Sequence, residues 1–288
     1  MCRLFGMTTG GPRMHATFWL LDAPDSLRDQ SRRMPDGTGL GWFSLGEEPV
    51  RDRAPIAAFQ DADFNSEARH IASHTFVSHV RYASTGAPDV HNSHPFVMDD
   101  RLFAHNGVVR GLDTLGSWLT DVDRAPVEGQ TDSELVCAYV TAEISRRGDT
   151  TEGLVSAVRR IAAELPLFAL NVVLAESGRL WALRYPATHE LWALASEPAL
   201  TFCRPDTDRH LASGREPGRL KVRAHREPTP ACVVASERMD DDPGWRLLAP
   251  GELLLVDGLT ATSLFPFDEP AHPLTPADLS ATESSSQT

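Results

Sequence analysis

The order of hydrophobic and polar positions along the chain predicts many short strands with two groups of helices between them. Runs rich in β-forming residues predict strands at residues 2–8, 40–45, 75–82, 101–105, 169–175, 180–185, 191–194, 200–203, 232–236 and 252–256. Helical patterns occupy residues 15–22, 24–32, 61–74, 111–121, 132–147 and 151–164, and a charged loop is predicted at 204–228. Because strands and helices do not alternate strictly, two antiparallel sheets covered by helices fit better than a Rossmann-like parallel sheet.

Three local signals place boundaries between these elements. Residues 35–39 form a Pro-Asp-Gly-Thr-Gly turn cluster, whose glycines either allow a close backbone approach or only shape the turn. Asn106-Gly107 is a strong turn signal and ends the strand before it. The sequence Thr-Asp-Ser-Glu beginning at Thr131 matches the capping-box pattern, so Thr131 is predicted to cap a helix together with Glu134.

Composition predicts an ordinary globular protein, with 41% hydrophobic and 23% charged residues among 288. Pro, Ser, Thr and acidic residues dominate from about Pro270 onwards. We therefore expect one domain over residues 2–269 and a poorly ordered tail over residues 270–288. No apolar run approaches the length of a transmembrane helix, and Arg3 is not followed by the long apolar run of a signal peptide. These features predict a cytoplasmic protein that does not bind membranes.

Charge, cysteines and histidines narrow the classes of ligand. The formal net charge of −13 argues against general nucleic-acid or anionic-membrane binding, but it leaves room for a small anionic substrate bound by local arginines. The four cysteines show no CxxC spacing, which argues against a zinc site or a disulfide framework and fits a reducing compartment. His70 and His74 have a helical metal spacing without an HExxH pattern, and the GxG at 37–39 lacks the third glycine of a nucleotide fingerprint. We predict no metal and no cofactor.

Cys2 is the first candidate for chemistry. Removal of Met1 would leave Cys2 with both a thiol and a free α-amino group, whose pKa is roughly 7.7–8.0 in unperturbed chains. Such a residue supplies the attacking sulfur and the base that accepts its proton. Considered alone, Cys2 is better explained as a small buried cysteine without a catalytic role. Motifs further along the chain reverse that preference.

Four short motifs occur in a specific order: Cys-Arg-Leu-Phe-Gly at 2–6, His-Val-Arg-Tyr-Ala-Ser-Thr-Gly at 79–86, Ala-His-Asn-Gly at 104–107 and Thr-Asp-Ser-Glu at 131–134. The ordered set resembles the class II glutamine amidotransferases, a branch of the N-terminal nucleophile hydrolases. The resemblance is sharp within residues 2–140 and extends in strand pattern to about residue 256. It implies an α+β fold, a four-layer αββα sandwich of two antiparallel sheets, for the domain at 2–269.

The resemblance also implies how the reacting groups are divided. Cys2 attacks the γ-carbonyl of a glutamine-like amide and forms a thioester, while its α-amine takes the thiol proton and passes it to the departing nitrogen. The side-chain amide of Asn106 and the backbone N–H of Gly107 match the donors that stabilise the tetrahedral oxyanion. The alternative for Asn106 and Gly107 is an ordinary turn.

Four further residues are expected to bind the substrate. Arg81 matches the residue that binds the substrate α-carboxylate through its planar fork, and Asp132 matches the carboxylate that receives the α-ammonium. Ser84 and Thr85, in the loop after Arg81, are expected to add contacts to the carboxylate. Alternatively, Arg81 is a surface arginine and Asp132 is an acid that stabilises a helix start.

The length of the chain bears on which branch of the family it resembles. About 150 residues follow Asp132, and they complete the sandwich instead of adding a synthase domain. The chain therefore resembles a stand-alone branch that includes the γ-glutamyl hydrolase of ergothioneine biosynthesis, a resemblance that the segment around Pro35 and Trp42 also supports. Three hypotheses remain open. They are a cysteine-dependent amidohydrolase for glutamine or a γ-glutamyl amide, a glutaminase subunit that supplies ammonia to a separate synthase, and a non-catalytic binding protein. A synthase or a second copy of the chain is a possible partner.

Overall fold

The computed structural model describes residues 2–83, 88–194, 204–205, 230–258 and 260–287. In these ranges the strands are β1 (Arg3–Thr8), β2 (Met14–His15), β3 (Gly37–Phe43), β4 (Pro49–Ala54), β5 (Ala72–Ser73), β6 (Thr75–Arg81), β7 (Phe96–Met98), β8 (Arg101–Val109), β9 (Leu167–Glu176), β10 (Arg179–Arg184), β11 (Trp192–Leu194), β12 (Arg204–Pro205), β13 (Pro230–Ala235), β14 (Trp245–Leu247), β15 (Glu252–Asp257) and β16 (Thr260–Leu264). The α-helices are α1 (Leu27–Gln30), α2 (Ala62–His70), α3 (Leu112–Ser117), α4 (Asp121–Arg124), α5 (Asp132–Arg147), α6 (Thr150–Glu164) and α7 (Ala281–Gln287). A π-helix spans Phe18–Asp22, and 3-10 helices span Val90–Asn92 and Pro276–Asp278.

Two antiparallel sheets form the centre of the molecule. The first has the order β14-β11-β13-β1-β6-β3-β4, with β12 beside β13, and the second has the order β16-β15-β10-β9-β8-β7. Strands β2 and β5 pair separately. Strand β1, which begins one residue after Cys2, lies between β13 and β6 in the interior of the first sheet. The start of the chain is therefore hydrogen-bonded to neighbours on both sides.

Side-chain alternation along the strands separates three apolar layers. In β1, Leu4 lies in the core between the sheets, whereas Phe5 points to the core under the π-helix, α1 and α2. In β9, Val173 packs between the sheets and Val172 packs in the core under α5 and α6. Two sheets between two helical layers are the predicted αββα sandwich, which is confirmed.

The glycine-rich segment at 37–39 is part of strand β3, whereas the sequence predicted a turn there. Gly37 pairs with Arg81 and Gly39 pairs with His79. A Cβ atom at Gly39 would lie 2.0 Å from the carbonyl oxygen of His94. Glycine therefore allows the close approach of a backbone segment from outside this sheet, just before β7, which was one of the two interpretations left open.

The turn predicted at Asn106-Gly107 is also wrong, because β8 continues through both residues to Val109. Asn106 pairs with Asn171 and Gly107 pairs with Leu170 of β9. A Cβ atom at Gly107 would lie 1.9 Å from the carbonyl oxygen of Ala169, so glycine is required by the neighbouring strand. The local turn preference is overridden by a partner strand that is more than 60 residues away in sequence.

The helix predicted after Thr131 is confirmed as α5, and the Thr131 hydroxyl accepts the Glu134 N–H at 3.3 Å. The second half of the predicted capping box is different. The Glu134 carboxylate accepts the N–H groups of Glu128, at 3.1 Å, and Gly129, at 2.5 Å. Glu134 therefore holds the loop before the helix, which borders the site described below.

The predicted domain boundary at residue 269 stays a prediction. Composition predicts little order beyond it, whereas the structure has a 3-10 turn and helix α7 in this segment and buries Glu283 and Gln287. The predicted strand at 200–203 lies outside the described residues, as does the predicted loop at 204–228 except for residues 204–205.

Candidate active site

The pairing of β1 with β6 places Cys2 at the end of β6. Arg3 pairs with Val80, so Cys2, one residue earlier, lies beside Arg81. The Cys2 sulfur accepts the backbone N–H of Tyr82 at 3.2 Å, and it also lies 3.4 Å from the Tyr82 carbonyl oxygen, to which a thiol would donate. Two backbone groups of one residue therefore hold the half-buried sulfur.

The surroundings of the Cys2 thiol act in opposite directions on its pKa. Burial raises the pKa, because the thiolate loses water. The hydrogen bond with the Tyr82 backbone and the guanidinium charges of Arg81 and Arg3 lower it. Burial is the larger effect, so the thiol pKa is raised, and the sulfur needs a base near it to become a nucleophile at neutral pH.

Arg3 anchors the backbone next to Cys2. Its guanidinium forms an ion pair with Glu237 and donates to the carbonyl oxygen of Cys2 at 3.4 Å. The Ser236 hydroxyl accepts the Leu4 N–H at 2.9 Å, on the same side of β1. Sequence reasoning missed this anchor, because Arg3 and Glu237 are 234 residues apart and neither belongs to a local pattern that links them.

Asn106 reaches across from the second sheet to the same residue. Its side-chain Nδ2 donates to the Cys2 carbonyl oxygen at 3.0 Å, and its side chain is buried. A carboxamide has two N–H groups, so the other one remains for a further acceptor. Gly107 follows directly and lines the same cavity as Cys2.

Arg81 and Asp132 stand on different layers around this centre. Arg81 ends β6, is buried, and has its pKa lowered by burial, an effect that the nearby Cys2, Asp36 and Asp132 oppose. Asp132 begins α5 and accepts the backbone N–H of Val109 and that of Ser133, each at 2.9 Å. Asp132 thus has a structural task, fixing the end of β8, whatever else it binds.

The loop after Arg81 is attached at its start by Asp36. The Asp36 carboxylate accepts the N–H of Ala83 at 2.9 Å, and its own N–H donates to the Arg81 carbonyl oxygen at 3.0 Å. Ser84 and Thr85, the other two predicted site residues, lie outside the described residues.

One cavity is lined by Cys2, Arg81, Asn106, Gly107 and Asp132 together. Residues that lie 79 to 130 positions after Cys2 in the sequence thus meet Cys2 at one place. The remaining wall includes the histidines His79, His94 and His105, and Gln287 of α7. No pattern in the sequence indicated Gln287.

The three histidines are buried and have lowered pKa values. Burial lowers the pKa of His79 to about 3 and that of His94 well below its ordinary value. Their rings lie 4.2 Å apart, and their ring nitrogens have no hydrogen-bond partner among the described residues. His105 differs from them, because its Nδ1 lies 2.9 Å from the Ser133 hydroxyl. His79 and His94 contribute their ring surfaces to the cavity wall.

Among the described residues, no group of three or more His, Cys, Asp or Glu side chains is arranged to hold a metal ion. No helix in the same part of the chain is long and apolar enough to cross a membrane. The residues that line the cavity offer a thiol, amide donors, a guanidinium, a carboxylate and imidazole rings.

Comparison with known proteins agrees with this geometry. The sequence profile of the family "Glutamine amidotransferases class-II" matches residues 1–274. The chain belongs to the class II glutamine amidotransferases. The family, the fold class and the prediction of an enzyme that cleaves a γ-glutamyl amide bond are confirmed. The family match does not assign individual residues, so the roles of the site residues remain proposals.

Two kinds of relative differ in how much of their length aligns with this chain. The chain is 29% identical over 278 residues to γ-glutamyl-hercynylcysteine sulfoxide hydrolase of Mycobacterium tuberculosis, covering 92% of this chain and 97% of that protein. It is 32% identical over 142 residues to glutamine–fructose-6-phosphate aminotransferase (isomerizing) of Aliivibrio fischeri, covering 49% of this chain but 22% of that protein.

Solved structures support the fold. A glutamine aminotransferase class-II domain protein from Silicibacter pomeroyi has a TM-score of 0.62 at 21% identity, with 93% of this chain and 100% of that chain covered. The glutamine phosphoribosylpyrophosphate amidotransferase of B. subtilis also has a TM-score of 0.62, at 17% identity, with 92% of this chain and 49% of that chain covered. The match thus includes this whole fold and about half of the longer enzyme.

Proposed function

We propose that this class II family member is a stand-alone hydrolase that cleaves the γ-amide bond of a γ-glutamyl amide and releases glutamate. The observation behind the proposal is the single cavity in which Cys2, Asn106, Gly107, Arg81 and Asp132 meet. The similarity to γ-glutamyl-hercynylcysteine sulfoxide hydrolase over 97% of that protein's length supports hydrolysis as the activity.

The reaction begins at Cys2. After removal of Met1, the α-amine of Cys2 takes the thiol proton, and the sulfur attacks the γ-carbonyl carbon of the substrate. The free Nδ2 hydrogen of Asn106 and the N–H of Gly107 receive the oxyanion that forms. When the C–N bond breaks, the α-amine gives its proton to the departing amine, and a thioester of Cys2 remains. Water then attacks the thioester, which releases glutamate and restores the thiol.

The other two residues bind the amino-acid end of the substrate. The Arg81 guanidinium offers a planar fork of N–H donors, which matches the two oxygens of an α-carboxylate. Asp132 uses its oxygens on the Val109 and Ser133 N–H groups, and a carboxylate has further lone pairs for an α-ammonium group. Ser84 and Thr85 are proposed to contact the substrate carboxylate from the loop that follows Arg81.

The decisive experiment measures glutamate release from glutamine and from a set of γ-glutamyl amides, with Cys2→Ala as the inactive control. We expect the wild type to release glutamate from at least one γ-glutamyl amide without any partner protein. If glutamate appeared only from glutamine, and only with a cell extract present, the chain would be a glutaminase subunit for a separate synthase. If wild type and Cys2→Ala were equally inactive on every substrate while binding them, the proposal of an enzyme would fail.

A further inference from the structure

Residues 274–287, called here the strap, run along the edge of the active site. The strap contains the 3-10 turn and α7, and it brings the side chain of Gln287 into the wall of the cavity that also contains Cys2. Neither the sequence motifs nor the proposed reaction steps use this segment. An ion pair, apolar contacts and a contact with a buried histidine hold the strap in place.

An ion pair fastens the strap directly behind the proposed oxyanion site. Arg110 follows Gly107 by three residues, and its Nε and Nη2 lie 3.3 and 2.7 Å from the two carboxylate oxygens of Glu283. The same Nη2 donates to the carbonyl oxygen of Asp278 at 2.8 Å. This bidentate pair connects the end of β8 to α7.

Apolar contacts hold the first part of the strap. Leu274 and Leu279 pack against a small cluster of Val108, Phe168 and Ala169, which are in or next to β8 and β9. The backbone N–H of Leu274 also donates to the carbonyl oxygen of Leu167 at 2.8 Å. The strap is therefore attached to β8, which contains Gly107, and to β9, which pairs with it.

Gln287 is fixed by a buried histidine. Its Oε1 lies 2.5 Å from Nε2 of His189, and both side chains are buried. Burial lowers the pKa of His189 to about 4, so at neutral pH this ring is uncharged and donates from Nε2. The His189 carbonyl oxygen accepts from Asn171, the strand partner of Asn106. Gln287 thus forms part of the cavity wall, and His189 connects it to Asn171, the strand partner of Asn106.

The wall lies on a different side of β8 from Asp132. His105 points to the helical layer, where it contacts Ser133 next to Asp132. Side chains alternate along a strand, so Asn106 and Val108 point to the other face. The strap covers Val108 on that second face. The proposed binding site for the substrate α-ammonium and the strap therefore flank the reaction centre from opposite faces.

We propose that the strap, through Gln287, limits the size of the amine that leaves from the substrate. This inference rests on the proposed function. The amino-acid end is assigned to Arg81 and Asp132, so the space bounded by Gln287 remains for the group on the other side of the scissile bond. The enclosed volume of the cavity is about 30 Å³, well below that of an open ligand site, so one side chain in its wall changes what fits.

The test compares kcat/KM for glutamine, γ-glutamyl ethylamide and γ-glutamyl anilide in full-length variants. Gln287→Ala should raise kcat/KM for the anilide relative to glutamine by about tenfold or more, the scale on which pockets discriminate small apolar groups. Gln287→Trp should lower the same ratio. Arg110→Glu and Glu283→Arg should each raise it by releasing the strap, and the double charge swap should bring it back towards wild type. A restored ratio in the double variant shows that the single variants act by releasing the strap and not by destabilising the whole protein.

Arg179→Glu is the control, because Arg179 forms a more exposed ion pair with Asp257, 2.9 Å apart, on strands β10 and β15 of the second sheet. It should leave the ratio unchanged. An unchanged ratio in Gln287→Ala, with the wild type active on a γ-glutamyl amide, overturns the inference and leaves the proposed function intact. A changed KM for glutamine with no change in amine preference also overturns it, because the wall would then bound the amino-acid end. A wild type inactive on every amide instead overturns the proposed function.

Discussion

The Nδ2 of Asn106 donates a hydrogen bond of 3.0 Å to the backbone carbonyl oxygen of Cys2. This bond joins the two sheets, since Asn106 belongs to β8 and Cys2 precedes β1. It fixes the position of one amide hydrogen relative to the sulfur-bearing residue and leaves the other hydrogen for a ligand. One contact therefore sets the distance between the proposed nucleophile and the proposed oxyanion donor before substrate arrives.

The first prediction concerns this amide. Asn106→Ala should fold, bind substrate with little change in KM, and lose on the order of 10²–10³ in kcat, as is typical when one oxyanion donor is removed. Steady-state kinetics on the best γ-glutamyl substrate measures both parameters. Asn65→Ala is a suitable control, because Asn65 bonds to backbone oxygens of Ala58 and Asp61 near α2. A near-normal kcat in Asn106→Ala would remove Asn106 from the mechanism.

The sequence was sufficient for the layers of the fold and for naming residues that the structure brings into one cavity. The strand at β1 and the helix α5 have strong periodic or capping signals, and Cys2, Arg81 and Asp132 lie in ordered motifs. The failures at residues 37–39 and at Asn106-Gly107 have one cause. Glycine and asparagine indicate a turn when only neighbours in sequence are considered, but here the backbone of a residue distant in sequence, His94 or Ala169, approaches too closely for a side chain.

Contacts between distant parts of the chain could not be predicted. Glu237 meets Arg3 and Gln287 meets His189 through the final packing of the sheets, and the polar composition around Gln287 suggested a poorly ordered tail. Polar segments become ordered when a few buried contacts, such as Arg110 with Glu283, hold them to a folded body. No single-sequence pattern records which distant residue provides that contact.

The second prediction is that Cys2 reacts with a glutamine-like diazo-ketone and that the mature protein begins at Cys2. Intact-mass measurement should show loss of one methionine, and peptide mapping should place the added mass at Cys2. Cys137 and Cys232 are both buried, and burial raises the pKa of Cys137, so neither should react in the folded protein. Labelling of another cysteine with Cys2 untouched, or full activity with Met1 retained, would contradict the mechanism.

The third prediction separates binding from bond cleavage. Arg81→Lys keeps the charge but loses the planar fork, so KM should rise while kcat changes less. Asp132→Asn should likewise raise KM for substrates with a free α-amine. Because Asp132 also accepts the N–H groups of Val109 and Ser133, this variant should lose some thermal stability.

A substrate analogue without the α-amine provides the control for Asp132. If Asp132 binds the α-ammonium, Asp132→Asn should change KM for the analogue much less than KM for the parent amide. Equal effects on both compounds would mean that Asp132 acts only through the end of β8. Wild-type kcat/KM in both variants on every substrate would remove both assignments.

The fourth prediction is a loss of stability in mild acid caused by His79. Burial lowers the pKa of His79 to about 3, so the folded protein keeps this ring neutral at pH values where the unfolded chain protonates it. Between about pH 3 and pH 6.5 the unfolded state therefore binds more protons, and the free energy of unfolding must fall as the pH is lowered. From pH 7 to pH 5 this single group contributes a loss of about 2 kcal/mol.

Urea unfolding of wild type and His79→Phe at several pH values between 5 and 7 measures this contribution. The variant removes the proton site and keeps an aromatic ring beside His94, whose ring lies 4.2 Å from that of His79. We expect the variant to lose less free energy of unfolding between pH 7 and pH 5 than the wild type does. His70→Gln, on the exposed end of α2, should keep the wild-type dependence. A buried His79 that stays uncharged must contribute to the fall in the free energy of unfolding between pH 7 and pH 5. If His79→Phe showed the same fall as the wild type, His79 would not be its source.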